Sequence, residues 1–322
     1  MDNEKQLVDS IKKKCANNNI NNITRTKAYL EYYKRNPEVE WAFLAHLVSR
    51  NGGWNMTDLK GDIVGEVISP NKKSLLFSLL ERSNALIFHD AYTQLLLYET
   101  CKKRNKSMFH LLKAFHVSSF MIPIWEEFFK YKNVKMISIA KIINEQNYIQ
   151  KRVMQQQSFK EILNSVEFKI QDLFGFSYVL FPYKKKNSIR LSGKSIQEFD
   201  DLNNRIKIGK YLYSLLFEHN LINKGAIHFA HTVPHSGSRA DYWPEVFSPK
   251  QQANSFIYSP KLIDVWPNVT HSFLDKTDWF ETLSVMEELK TLPVIKKPDI
   301  TKEYSKDLFS LYTVTNTLNH LI

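Results

Sequence analysis

Apolar positions along this chain recur mostly at three- and four-residue spacing, the period of a helix face. Residues 4–17 follow it as a polar amphipathic helix that frays into NNNINN. Thr24 is the expected N-cap of a second helix, RTKAYLEYYKR, which stops before Asn36-Pro37, and Pro37 then sits at the start of a third. That third helix, EVEWAFLAHLVSR, is apolar on nearly every side, so it belongs at the centre of the fold. Asn51-Gly52-Gly53 is expected to end it through a left-handed cap. Residues 73–104 continue the helical pattern with a break near Ser83-Asn84, and 107–130, 134–154 and 157–174 read as further helices.

The texture then changes. FSYVLFPY and SIRLSG, separated by KKKN, alternate as two short strands and predict a β-hairpin near 176–191. Helices resume at 196–219 and 223–232, a Pro-, Ser-, Trp- and Asn-rich stretch at 234–275 reads as a long ordered loop, and helices at 277–290 and 302–320 close the chain. The expected fold is mainly α, one globular helical unit over 1–322. Residues 1–155 would form a helical core, with 156–322, carrying the hairpin and the loop region, packed on it. Only 9 glycines in 322 residues agree with helix over sheet.

Charge and cysteine content narrow the setting. The formal net charge of +11 and a pI near 9.3 admit nucleic acid, membrane headgroups or acidic partners. The basic residues come in scattered short runs, however, such as Lys12 to Lys14 and Lys184 to Lys186, without an Arg-rich arm. A solvated basic surface with weak, salt-sensitive, non-specific nucleic-acid binding is the expectation. Cys15 and Cys101 form no CxxC pair and suit reduced thiols in the cytoplasm. The most apolar window, FHLLKAFHVSSFMIPIWEEFF, is interrupted by His110, Lys113, His116 and Pro123, so no membrane span is expected.

The stretches TRTKAYLEYYKRNPEVEWAFLAHLVSRNGGWNMTDLKGD and PHSGSRADYWPEVF resemble the YppC-like family of uncharacterised Bacillus proteins, a domain of unknown function. The likeness covers most of the chain. It implies a bacterial protein without an appended module, and it brings no catalytic residue with it.

Three groups of residues carry candidate chemistry. The central helix carries His46, Ser49 and Arg50, followed by Asn51, Trp54, Asn55 and Asp58, and His46 and Arg50 stand one turn apart. A buried arginine needs an anionic partner, so Arg50 points to an internal carboxylate or to a ligand. Within 82–99, Asp90 lies one turn from Gln94 with His89 beside it. Asp90 is the expected partner of Arg50 or Arg239, and a carboxylate flanked by histidine also suits a base and its orienter.

The third group is HFAHTVPHSGSRADYW, residues 228–243. His228, His231 and His235 would share one face of an unbroken helix, as metal ligands can, but Pro234 breaks that helix. No metal or cofactor is therefore expected. His235-Ser236-Gly237-Ser238-Arg239 reads better as an anion-binding loop, with turned backbone donors, two hydroxyls and a guanidinium fork. The structural alternative is a helix exit in which Arg239 pairs with Asp241 or Glu245 while Tyr242 and Trp243 dock the loop. The expectation is a shared polar centre of Arg50, Asp90, Arg239 and Asp241, with Arg50 as brace and Arg239 facing a pocket. Such a pocket makes a binding protein or enzyme for a small phosphate- or carboxylate-bearing ligand. The alternative is a non-catalytic basic helical protein that binds nucleic acid or a protein partner.

Overall fold

A computed structural model describes residues 2–64, 68–157, 178–196, 201–251, 256–273, 275–289 and 292–319. The fold is mainly helical. The first three helices are α1 (Asp2–Asn18), α2 (Asn22–Arg35) and α3 (Glu40–Asp58). Asn21, rather than Thr24, caps α2: its side chain accepts from Thr24 N at 3.0 Å while Thr24 Oγ1 accepts from Asn21 N at 3.2 Å. This reciprocal pair is a capping box, with the threonine in its third position. Pro37 falls in the turn before α3, which starts three residues later at Glu40.

Gly52 and Gly53 do not end α3, which runs on to Asp58. A Cβ on Gly53 would lie 2.4 Å from His235 Nε2 and 2.5 Å from Asn22 Oδ1, so this position serves close approach and not a cap. Helix α4 (Pro70–Arg104) is also unbroken at Ser83-Asn84. Ser83 Oγ and Asn84 Nδ2 donate back to the carbonyls of Leu79 and Leu80 at 2.8 and 2.9 Å, so their polar groups are satisfied within the helix.

A 3-10 segment (Phe109–Phe115) leads into α5 (Met121–Tyr131) and α6 (Val134–Ile149), which passes into a π turn at Gln150–Met154. The helix expected over 157–174 lies, beyond Gln157, outside the described residues. The hairpin is present as β1 (Tyr178–Lys185) and β2 (Ser188–Ser195), paired from Tyr178 with Ser195 to Lys185 with Ser188. Helices α7 (Leu202–Phe217) and α8 (Asn220–Thr232) follow. The region after α8 holds a 3-10 turn (Arg239–Asp241), a parallel pair β3 (Phe247–Ser248) and β4 (Ile257–Tyr258), and the short α9 (Leu262–Val265). Leu283–Leu289 is a 3-10 segment rather than the α-helix expected there, and α10 (Thr301–Asn319) is last.

The hairpin and α3 connect two apolar clusters. Along β1, Val179, Phe181 and Tyr183 enter the large cluster built by α1 to α8, while Tyr178 and Leu180 enter a second one with Trp54, Phe229, Tyr242 and Tyr304. Successive strand residues face opposite ways, so burial on both faces explains the nearly continuous apolar run. Asn51 joins strand to helix: its Nδ2 donates to Leu180 O at 2.8 Å and its Oδ1 accepts from Leu180 N at 2.7 Å. That fixes which side of α3 meets the loop and which side faces α4, α6 and α7.

Candidate functional site

One side of α3 builds a buried ionic network with the loop after α8. Helix α8 ends at Thr232, and Val233 leaves it in an extended conformation ahead of Pro234. The chain then turns through Gly237, at φ 85°, where Thr57 Oγ1 donates to the Gly237 carbonyl at 2.6 Å. The anion held by this loop is the protein's own Asp241. Its carboxylate accepts from Ser236 N at 3.0 Å, Ser236 Oγ at 2.5 Å and Trp54 Nε1 at 3.3 Å, with His235 Nδ1 at 3.2 Å. Arg50 Nη2 stands 3.6 Å away, while its Nη1 donates to Val233 O at 2.9 Å and its guanidinium lies 4.6 Å over the Phe229 ring.

Burial acts on each member. It draws the Arg50 guanidinium down to about 10, and it pushes the His235 imidazole below its ordinary value against the pull of Asp241. Burial would raise the Asp241 carboxyl, but His235, Arg50 and Ser236 outweigh it and hold the group ionised. His235 Nε2 also meets Asn22 Oδ1 at 2.9 Å, through the gap left by Gly53.

Arg239 turns away from this cluster and pairs with Asp58, the last residue of α3, rather than with Asp241 or Glu245. Its Nε and Nη2 donate to Asp58 at 2.8 and 2.7 Å, and its Nη1 donates to Tyr242 Oη and Tyr304 Oη at 2.7 Å each. Burial works against the Arg239 charge, but Asp58 and the two tyrosines hold it well above its ordinary value. Ser238 donates to Ser259 O and caps the 3-10 turn through Ala240 N. Arg50, Trp54, His235, Ser236 and Asp241 thus meet in one network, and Ser238, Arg239 and Tyr242 form an adjoining one.

The other predicted residues lie elsewhere. Asp90 partners neither arginine; it accepts from Gln94 Nε2 at 2.6 Å and Asn144 Nδ2 at 2.7 Å, tying α4 to α6. The expectation failed because spacing along α4 shows a polar face but not which helix covers it. His89 stacks on Phe273 at 4.6 Å, and His46 bonds Thr26 O at 2.8 Å, so neither joins Arg50. Among the described residues no group of three or more His, Cys, Asp or Glu side chains is placed to hold a metal ion.

The opposite stripe of α3 faces a cavity of about 300 Å³ between α3, α4, α6 and α7. Trp41, Ala45, Val48, Gly52, Asn55 and Leu59 line it at alternating four- and three-residue steps, the spacing of one helix face. Leu79, Ile142, Ile149 and Leu212 complete much of an apolar wall. Val48 remains 38% exposed, so apolar surface on this central helix is left uncovered.

The polar end of the cavity was not legible as a site. Glu145 lines it, and its Oε2 accepts from Trp41 Nε1 at 3.2 Å. Burial pushes this carboxyl up to about 8, against the Lys141 charge. Lys141, one turn earlier on α6, lies 4.3 Å over the Trp41 ring, and burial draws its ammonium down to about 8. Tyr29 lines the cavity and Lys141 does not; among the described residues the Tyr29 hydroxyl and Lys141 Nζ are buried and have no hydrogen-bond partner. The available signal was a lysine and a glutamate one turn apart within the apolar run MISIAKIINEQNYI.

Residues 17–305 match the family described as "Protein of unknown function (DUF2515)". The chain is 41% identical over 279 residues to "Uncharacterized protein YppC" of Bacillus subtilis (strain 168), covering 86% of this chain and 84% of that protein. No solved structure matches. Among the described residues no helix is long and apolar enough to cross a membrane.

Proposed function

The chain belongs to the DUF2515 family of proteins of unknown function, and on that footing we propose that it binds a small molecule with an apolar body and a polar head. The ligand lies in the cavity bounded by α3, α4, α6 and α7. The observation that carries this reading is an apolar-walled space of about 300 Å³ lined at its polar end by the buried Tyr29 hydroxyl, which has no hydrogen-bond partner among the described residues. Ligand sites are typically concave, mostly apolar and supplied with a few convergent polar groups. Leaving a buried donor unmade costs about 1–3 kcal/mol, so an occupant that meets it binds with that advantage. Two buried free cysteines, Cys15 and Cys101, support a reducing, cytoplasmic setting.

The loop at His235–Arg239 is the weaker candidate for a free anion, because Asp241 occupies its donors. A second reading, an interaction protein for polyanions, draws on Lys184, Lys186, Lys224 and His228 around one hollow where α8 meets the hairpin turn. Thermal melts in decanol separate the two. A saturable rise in Tm that disappears in Ala45→Phe, with native spectra retained, supports the cavity. No shift with decanol or decanoic acid, together with nucleic-acid binding that persists at physiological salt, replaces it with the second reading.

A further inference from the structure

We propose that the hollow where α8 meets the hairpin turn binds a diphosphate group, free or as the head of a small molecule. Among the described residues it shares no lining residue with the cavity between α3, α4, α6 and α7, so neither site depends on the other. Gly225 brings the two elements together: a Cβ there would lie 2.7 Å from the Lys184 carbonyl oxygen and 3.0 Å from Tyr183 Cβ. Leu221, Lys224 and His228 recur at three- and four-residue steps and share the α8 face beside that glycine. Lys184 and Lys186 line the hollow from the hairpin side. The space measures about 510 Å³, and no carboxylate is among its described lining residues.

The three ammonium groups are unmatched. Neither 173–197 nor 219–240 contains an Asp or Glu. Lys34, Lys102, Lys135 and Lys210 each pair with a glutamate, but among the described residues Lys184, Lys186 and Lys224 pair with none. Lys186 also occupies a turn position that suits another residue. It has φ 55° between the paired Lys185 and Ser188, a left-handed conformation that favours glycine or asparagine. The other described non-glycine residues at positive φ, Asn105, His116 and Lys132, close helices, where left-handed caps are common. A lysine kept in an unfavoured turn conformation, with its side chain on the hollow, points to a use for its charge.

Charge and shape then select the ligand class. Lysine meets phosphate as a point charge, and no arginine among the described lining residues offers a carboxylate its planar fork. A diphosphate end group carries roughly three negative charges near neutral pH, one for each lysine. No aromatic ring is among those residues, so a base would find no face to stack on and the carrier adds little.

The test titrates the full chain with pyrophosphate, ADP and orthophosphate at physiological salt in EDTA, read by calorimetry and Tm. Pyrophosphate and ADP should bind one to one with similar affinity. Orthophosphate, which reaches fewer of the lysines, should bind at least about tenfold more weakly and leave Tm unmoved. Lys224→Gln should weaken pyrophosphate about two- to fivefold, the range of one exposed ion pair, while Lys13→Gln on α1 should not. Lys186→Gly should weaken binding yet raise Tm, because glycine adopts that turn conformation freely. Orthophosphate binding as tightly as pyrophosphate overturns the diphosphate assignment. So does pyrophosphate affinity that survives Lys184→Gln, Lys186→Gly and Lys224→Gln combined. Duplex DNA held at physiological salt by a chain that ignores pyrophosphate replaces the site with a polyanion surface. Decanol melts read the other site, and none of these results alters them.

Discussion

Arg239 closes on Asp58 through two parallel hydrogen bonds, Nε to Oδ1 at 2.8 Å and Nη2 to Oδ2 at 2.7 Å. Arg50 is held more loosely, 3.6 Å from Asp241 and with no hydrogen bond on its Nε among the described residues. The arginine on the Gly/Ser loop is thus the tighter brace, and the one on the core helix has the slacker pairing, the reverse of what their positions in sequence suggest.

Removing Arg239 strands a carboxylate whose side chain is 0% exposed. Arg239→Met should therefore cost about 3–5 kcal/mol in urea melts. Arg50→Met should cost less, about 1–3 kcal/mol, because Asp241 keeps Ser236, Trp54 and His235. Phosphate should shift neither melt. An Arg50→Met loss equal to that of Arg239→Met would refute the ranking.

Gly53→Ala tests the close approach of α3 to the loop. In an open helix this change stabilises by about 1 kcal/mol. Here the new methyl would meet His235 Nε2 at 2.4 Å and Asn22 Oδ1 at 2.5 Å, atoms held by further bonds. A net loss of about 1–3 kcal/mol is expected from overpacking. Thermal and urea melts showing a gain instead would mean the loop yields freely.

Stability should depend on pH through Glu145 and Lys141. Between 4.5 and about 8 the folded protein keeps a proton on Glu145 that the unfolded chain has lost, so this group makes stability fall as pH rises. Between about 8 and 10.5 the unfolded chain keeps a proton that folded Lys141 has lost, so stability recovers. Urea melts across that range should show Glu145→Gln flattening the falling limb and Lys141→Met flattening the rising one. A difference between Glu145→Gln and wild type that does not vary with pH would show that the carboxyl titrates normally.

Acid should act through His89. Burial draws its imidazole down to about 4, so between 6.5 and about 4 the unfolded chain binds a proton that the folded one refuses. Stability from this group is therefore lost as pH falls through that window. His89→Gln should make the melt less acid-sensitive there, measured as the slope of stability against pH.

How much of this was legible follows from what each signal depends on. Helical spacing and the apolar alternation of FSYVLFPY depend on near neighbours, and they located the central helix and the hairpin. Gly52-Gly53 misled because a glycine needed for close approach looks the same in sequence as one needed for a cap. Thr24 reads as a cap in sequence because threonine is a good one, but Asn21 fills that place and assigns Thr24 the third position of the box. The loop's chemistry was readable as anion binding, yet the anion was within the quoted stretch, as Asp241. Asp58 stands out in sequence beside Arg50, but not as the partner of Arg239; that pairing, and the places of Tyr304, Tyr29 and Glu145, depend on which helices meet, and no spacing along one segment carries that.

The two arginine pairs also constrain the order in which the chain can be completed. Asp58 is separated from Arg239 by 181 residues, and Trp54 from Asp241 by 187. At roughly 5–20 residues per second of synthesis, α3 emerges about ten to forty seconds before its counter-charges exist. During that interval a helix destined for the interior carries an unmatched cation at Arg50 and an unmatched carboxylate at Asp58, both better solvated than buried. The side of α3 that carries these two charges therefore cannot close as the N-terminal helices leave the ribosome. Final burial of that face waits for the last third of the polypeptide, so the closing of α3 depends on residues made long after it.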